Sequence, residues 1–228
     1  MVLRHVLSDA KGSRDRFHIL SFRYDETEFR ERAAALHAEP PGCARRSDDD
    51  LNPEARIIPA GVEPKPAAVL VPLVQRHGGL AMLLTQRTAH LSQHAGQVAF
   101  PGGRIDAGDE SPVAAALRET EEETGIDRRF VEPLGYLDTY LTGTSYRVVP
   151  VVGLLRHGFT VTPHEGEVAD VFEVPLSFLM NPQHHERHSR QWQGKERFYY
   201  AMPYEGRYIW GATAGMIRNL YALMYGTA

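Results

Sequence analysis

Four of the five residues from Glu119 to Glu123 are glutamate, and the segment around them is built to be a helix. Ser111 is a favourable N-cap, Pro112 suits the first helical position, Ala114, Ala115, Ala116 and Leu117 are strong helix formers, and Gly125 is a natural stop. At about 100° per residue, Glu119, Glu122 and Glu123 share one face, while Glu121 points elsewhere. The helix dipole opposes each acid at this end by roughly 0.3–1 kcal/mol, and Glu119 and Glu123, four apart, repel. Something positive must offset this, and the reading expects a ligand rather than the chain alone. Three carboxylates in one turn suit a hard divalent cation, Mg²⁺ or Mn²⁺, which takes oxygen ligands and shares its shell with a substrate phosphate. A solvated acidic face is the plainer alternative. Context favours the cation. Gly102 and Gly103 in "FPGG" bring backbone close to a ligand, and Arg104 and Arg118 supply fixed positive charge suited to phosphate or carboxylate.

Other residues invite chemistry less strongly. His184 and His188, in "QHHERH", have a zinc-compatible spacing, but no third ligand is in evidence and the segment reads as an exposed loop. "SDDD" at 47–50 reads as a solvated turn or helix cap rather than a metal site. Tyr199, Tyr200, Tyr208 and Trp210 would stack on adenine, yet aromatics in a strand pair more often fill core. Cys43 is a lone cysteine in a polar stretch, expected to be a surface thiol; a single cysteine excludes an internal disulfide and fits a reducing compartment. The net charge of −4 gives no bulk attraction for nucleic acid, so an anionic ligand needs a local basic site. No run is long enough to span a membrane, and the first residues lack the apolar core of a signal peptide. The expectation is a soluble, cytoplasmic protein with neither nucleic-acid nor membrane partners.

The elements that must position these residues divide at about residue 66. Residues 1–66 read as an extension, with a short amphipathic helix at 25–38 and then a loop rich in proline, glycine and charge. From Ala67 onward, "AAVLVPLVQ" and "LAMLLTQR" read as a hairpin about "RHGG", and "QVAF" as a third strand. After the acidic helix come strands near 134–140, 146–155 and 169–175, a hairpin at 197–210, and a closing helix at 212–226. A mixed sheet with one central and one terminal helix implies an α/β sandwich over residues 67–228.

The helix and the loop before it resemble the Nudix box, G-x5-E-x7-R-E-U-x-E-E-x-G-U, with U aliphatic. Arg118, Glu119, Glu122, Glu123, Gly125 and Ile126 match in order, and Glu110 stands seven residues before Arg118. Gly103 lies one residue too far from Glu110, so the loop carries an insertion or Asp109 shares that role, and Thr120 replaces an aliphatic residue. The stretch 83–103, "LLTQRTAHLSQHAGQVAFPGG", is similar to the signature of coenzyme A pyrophosphatases, LLTxR(S/A)x3Rx3Gx3FPGG, with Ser92 where the signature has its second arginine. Further similarity runs to about residue 225.

This resemblance implies a Nudix-type α/β/α sandwich with a mixed sheet, and metal-dependent hydrolysis of coenzyme A to 3′,5′-ADP and 4′-phosphopantetheine. It implies Glu119, Glu122 and Glu123 as ligands of Mg²⁺ or Mn²⁺, with Glu119 and Glu122 counted among the catalytic groups. Arg118 would orient a neighbouring carboxylate such as Glu122, or contact phosphate. Arg87, Gly102, Gly103 and Arg104 would meet the substrate, and a homodimer is common in the family. The general base is a box glutamate or a loop acid, Glu165 or Glu167, with Glu167 preferred because it directly precedes a subfamily-like stretch. Two other readings stand beside this one: a Nudix hydrolase of NADH or ADP-ribose, and a Nudix-fold regulator that binds nucleotide without turnover.

Overall fold

The computed structural model describes residues 23–58, 61–90 and 94–226. The elements run α1 (Glu26–Arg32), β1 (Arg46–Ser47), β2 (Lys65–Arg76), β3 (Gly79–Arg87), β4 (Val98–Ala99), β5 (Gly102–Arg104) and α2 (Pro112–Thr124). They continue with β6 (Val131–Tyr136), β7 (Tyr140–Leu141), β8 (Tyr146–Leu155), β9 (Val168–Pro175) and α3 (Leu176–Leu179). The chain closes with β10 (Glu186–Trp192), β11 (Lys195–Tyr204), β12 (Arg207–Trp210) and α4 (Gly211–Met224).

Strand β2 organises the molecule. It turns back on β3 through His77 and Gly78, and it runs parallel to β8 from Lys65↔Tyr146 to Val74↔Leu155. Where β3 pairs only with the end of β2, the short β5 takes the free stretch of edge, Ala67↔Arg104 to Val69↔Gly102. Strands β6 and β7 lie antiparallel on β8, β9 and β4 on β3, and β1 parallel on β7. A second, three-stranded antiparallel sheet is formed by β10, β11 and β12.

Side chains of a strand alternate between faces, and β2 shows why helices sit on both sides. Ala68, Leu70 and Val74 pack with Ala115 and Ala116 of α2, whereas Ala67, Val71 and Leu73 join the larger core with Ala214, Ile217 and Leu220 of α4. Each fully buried valine or leucine contributes roughly 1.5–3 kcal/mol, so a strand apolar on both faces is stable only between two layers. The result is the α/β/α sandwich with a mixed sheet that the sequence implied.

The segment preceding β2 packs onto this sandwich. Asp25 caps α1 by accepting the Glu28 N–H at 2.8 Å, and Phe29 is fully buried in the α4-side core. Two expectations need correction. The stretch from Glu186 to Trp192 is not an exposed loop but a strand, paired with β11 over seven residues. "SDDD" is not a solvated turn: Asp49 is buried and forms a 2.8 Å ion pair with the buried Arg197, while Asp48 accepts the Tyr140 hydroxyl at 2.9 Å and the Gly143 N–H at 2.6 Å. These acids tie the early segment to β11 and β7. Among the described residues, no helix is long and apolar enough to cross a membrane.

Candidate active site

Helix α2 begins and ends where its sequence dictates. Ser111 Oγ accepts the Ala114 N–H at 3.1 Å, and Gly125 closes the helix at φ 70°, its N–H on the Glu121 carbonyl. Thr120, the departure from the aliphatic pattern, is buried and donates its hydroxyl to the Ala116 carbonyl, so the polar group is satisfied inside the helix.

The three same-face glutamates are graded in depth. The side chain of Glu123 is 5% exposed, that of Glu119 19%, and that of Glu122 60%. Gly102 donates its N–H to Glu123 Oε2 at 3.1 Å, and Arg87 Nη1 lies 3.5 Å from Oε1. Burial nevertheless pushes the Glu123 carboxyl up to about 7, against the opposing pull of Gly102 and Arg87. Glu119 is raised as well, first by burial, with Arg118 opposing.

Arg118 is the counter-charge of this helix. Its Nε and Nη2 donate to the two oxygens of Asp109 at 3.0 and 2.9 Å, and its Nη1 donates to Glu119 at 2.9 Å and Glu122 at 3.2 Å. Asp109 is held below the usual carboxylate range by this bidentate contact. Asp109, rather than Glu110, therefore faces Arg118; the exposed Glu110 shifts out of the position its spacing suggested. Glu121, turned away as expected, pairs with Arg128 at 2.7 Å. The chain itself thus offsets much of the repulsion that the sequence assigned to a ligand.

The glycines before the helix earn their place sterically. Gly102 has φ 150°, and a Cβ there would strike the Ala68 carbonyl. A Cβ on Gly103 would lie 2.5 Å from Glu119 Cδ, so only glycine lets the carboxylate approach β5. Across the site, the 164–168 turn is pinned to β3 and α2, with the Thr88 hydroxyl donating to the Gly166 carbonyl at 3.3 Å. Thr88 N–H bonds the Glu167 carbonyl and His164 N–H bonds the Glu123 carbonyl, both at 2.9 Å. Glu119, Glu122, Glu123, His164 and Glu167 line one cavity of about 330 Å³. Glu165 is not among its lining residues, and His164 joins it although no spacing in the sequence marks it out.

The donor set fits a hard divalent cation: four carboxylates in one cavity, two of them with ionisation disfavoured by burial. As described, these groups turn toward Arg118, Arg87 and Gly102, and no three are gathered on a common point among the described residues. Arg104 is exposed at the end of β5, with its carbonyl accepting from Arg118 at 3.1 Å. Ser92 lies outside the described residues.

His184 and His188 do not converge. His184 Nδ1 meets the Phe178 carbonyl at 2.9 Å, while His188 contacts Glu186 and the Tyr208 hydroxyl at 2.6 Å each. Tyr199, Tyr200 and Trp210 do not simply fill core. They line a second cavity of about 350 Å³ on the α4 side, with Arg190, Arg197, Arg218 and Asn219.

A NUDIX domain profile matches residues 64–197. The protein named "Uncharacterized Nudix hydrolase NudL" from Escherichia coli (strain K12) is 44% identical over 160 residues, which cover 70% of this chain and 82% of that relative. The protein of the same name from Citrobacter koseri gives the same figures. Among solved structures, a C. elegans Ap4A hydrolase binary complex is 26% identical, with a TM-score of 0.42 over 49% of this chain and 80% of that one. The profile match and the identity with these relatives show that the chain belongs to the Nudix hydrolases, which act on pyrophosphate bonds of nucleoside diphosphate derivatives.

Proposed function

We propose that this enzyme hydrolyses the diphosphate bridge of coenzyme A and its derivatives, with Mg²⁺ or Mn²⁺, to give 3′,5′-ADP and 4′-phosphopantetheine. One observation supports this reading above the rest: the coenzyme A-like stretch and the box helix act on the same carboxylate. Arg87 and Gly102, both in the 83–103 stretch, meet Glu123 from opposite ends of that stretch. Glu119, Glu122 and Glu123, with Glu167 near, would hold the divalent cation that Nudix hydrolases generally need. When bound, the cation supplies charge neutralisation of the diphosphate and a lowered pKa for attacking water.

The chain's own residues take the remaining roles. Glu167 accepts a proton from the water as its oxygen attacks phosphorus, the bridging P–O bond breaks, and the departing phosphate keeps the bond's electron pair. Arg118 holds Glu119 and Glu122 in place while Asp109 fixes its guanidinium. Arg87 and Arg104 meet phosphate oxygens, where a charge-assisted contact contributes roughly 1.5–3 kcal/mol. Incubation with coenzyme A and Mg²⁺ or Mn²⁺, with products identified by mass spectrometry, tests the reading. Release of 3′,5′-ADP supports it. Cleavage of ADP-ribose or NADH with coenzyme A left intact favours another nucleotide, as does Ser92 in place of the signature's arginine.

A further inference from the structure

Glu167 stands on an exposed turn, yet an acid that takes a proton from water has to be held at a set distance from its partners. Thr88, the residue after β3, supplies the hold. It is buried, its N–H donates to the Glu167 carbonyl at 2.9 Å, and its hydroxyl donates to the Gly166 carbonyl at 3.3 Å. Two successive carbonyls of the turn are therefore fixed by one residue. Its own carbonyl accepts the Gly96 N–H at 3.3 Å, which ties the same residue back into the 83–103 stretch. A β-branched side chain is stiff at χ1, so the hydroxyl is aimed in advance.

A slip in the sheet makes this contact possible. Strands β3 and β9 keep one register from Ala81↔Pro175 to Gln86↔Asp170, but the next pair is Arg87↔Val168. Ala169 is thus the extra residue of a β-bulge, a device that re-aims side chains beside active sites. In an unbroken ladder Arg87 would face Ala169, and Thr88 would face Val168. The slip instead brings Thr88 to Glu167, next to Arg87, whose Nη1 lies 3.5 Å from Glu123 Oε1.

The other end of the turn is tied to α2. Thr162 N–H donates to the Thr124 carbonyl at 2.7 Å and His164 N–H to the Glu123 carbonyl at 2.9 Å, and the His164 carbonyl accepts the Glu167 and Val168 N–H groups at 2.9 Å each. A Cβ on Gly125 would lie 2.9 Å from the Thr162 carbonyl, so the helix stop is also what lets this segment pass. These bonds bracket Glu123 and Glu167, two carboxylates of one cavity. They join main chain to main chain, whereas the Thr88–Gly166 bond comes from a side chain, and a substitution can remove it alone. The coenzyme A-like signature takes serine or alanine at this place, so the threonine is this chain's own.

We propose that Thr88 is a positioning residue for the hydrolysis: its hydroxyl, through Gly166, sets where Glu167 stands relative to Glu123 and the attacking water. The inference rests on the reading of Glu167 as proton acceptor and adds the group that aims it.

The test is a double-mutant cycle on the full chain, with kcat and KM measured on coenzyme A, or on ADP-ribose if that is the nucleotide cleaved. Thr88→Val keeps the branching and the N–H and removes the hydroxyl. It should lower kcat by about tenfold with KM within about twofold, and Thr88→Ser should stay within about threefold of wild type. Glu167→Gln alone should lower kcat by about 10²-fold or more. In that background Thr88→Val should cost no more than about a further twofold, since groups acting as a unit are not additive. If Thr88→Val loses its thermal transition, Thr88→Ala takes its place with the same expectations. Amide hydrogen exchange at Glu167 and Val168, measured without substrate, should quicken by about fivefold or more in Thr88→Val and not in Thr88→Ser. Unchanged kcat, unchanged exchange, or the same tenfold drop in both backgrounds overturns the role of Thr88 and leaves Glu167 as the base. Full activity in Glu167→Gln fells the reading of Glu167 itself, and Thr88 with it.

Discussion

The two cavities lie on opposite faces of one sheet and are charged in opposite ways. On the α2 face, most of the carboxylates and the arginine that meets them come from a single segment: Asp109, Arg118, Glu119, Glu122 and Glu123 fall within fifteen residues, with Glu167 joining from the turn before β9. On the α4 face, Arg46, Tyr140, Arg197 and Asn219 come from four separate parts of the chain. The local cluster is largely satisfied by its own neighbours, and its excess is negative. The dispersed cluster is held by one buried ion pair, Arg197 with Asp49, and among its lining residues arginines outnumber acids. A site built mostly within one segment survives small shifts of the rest of the fold better than one built from four segments, which depends on all of them.

Arg197→Met sharpens that contrast most. It strands Asp49 in the interior, and removing one partner of a buried pair costs on the order of 3–5 kcal/mol. Chemical denaturation should show the unfolding free energy falling by that amount, as a lower midpoint at unchanged slope; a loss below about 1 kcal/mol would mean that the pair does not hold the early segment down. Next in size is Glu122→Gln, on a side chain open to solvent. The fold should be retained while kcat drops by at least about 10²-fold, in keeping with loss of a ligand to a catalytic cation. Full activity in the variant would remove Glu122 from the site. The smallest effect separates two neighbours: Asp109→Ala should lower kcat/KM by about tenfold by freeing Arg118, and Glu110→Ala by no more than about twofold. The reverse order would show that the spacing to Arg118, and not the observed bidentate contact, reports the working register.

What the sequence made legible follows the same division. The box helix, its cap at Ser111, its stop at Gly125 and the shared face of Glu119, Glu122 and Glu123 all rest on rules that act within one or two turns. The hairpin β2–β3 and the strand β8 were legible because continuous apolar runs between turn residues mark strands covered on both faces. Less was visible where a residue's partner lies far along the chain. The spacing favoured Glu110, but only the folded loop shows Asp109 against Arg118. Asp48 and Asp49 read as solvated because their partners, Tyr140 and Arg197, are about a hundred residues away or more. The strand β10 carries few apolar residues, since most of it is exposed, so no period betrayed it. The three-residue β5 is too short to announce itself, and it exists because β2 offers it an edge.

The long parallel pairing of β2 with β8 also sets a timetable. It joins residues 65–74 to residues 146–155, and the whole box helix lies inside the loop that this pairing closes. Closing such a loop costs entropy before the pairing returns any of it, which makes topologies of this kind slow to form. On a ribosome, the carboxylate cavity waits for β8 to emerge and for Glu167 soon after it. The arginine cavity waits longer, for α4, almost at the end of synthesis. A nascent chain therefore completes its carboxylate cavity well before its arginine-lined one.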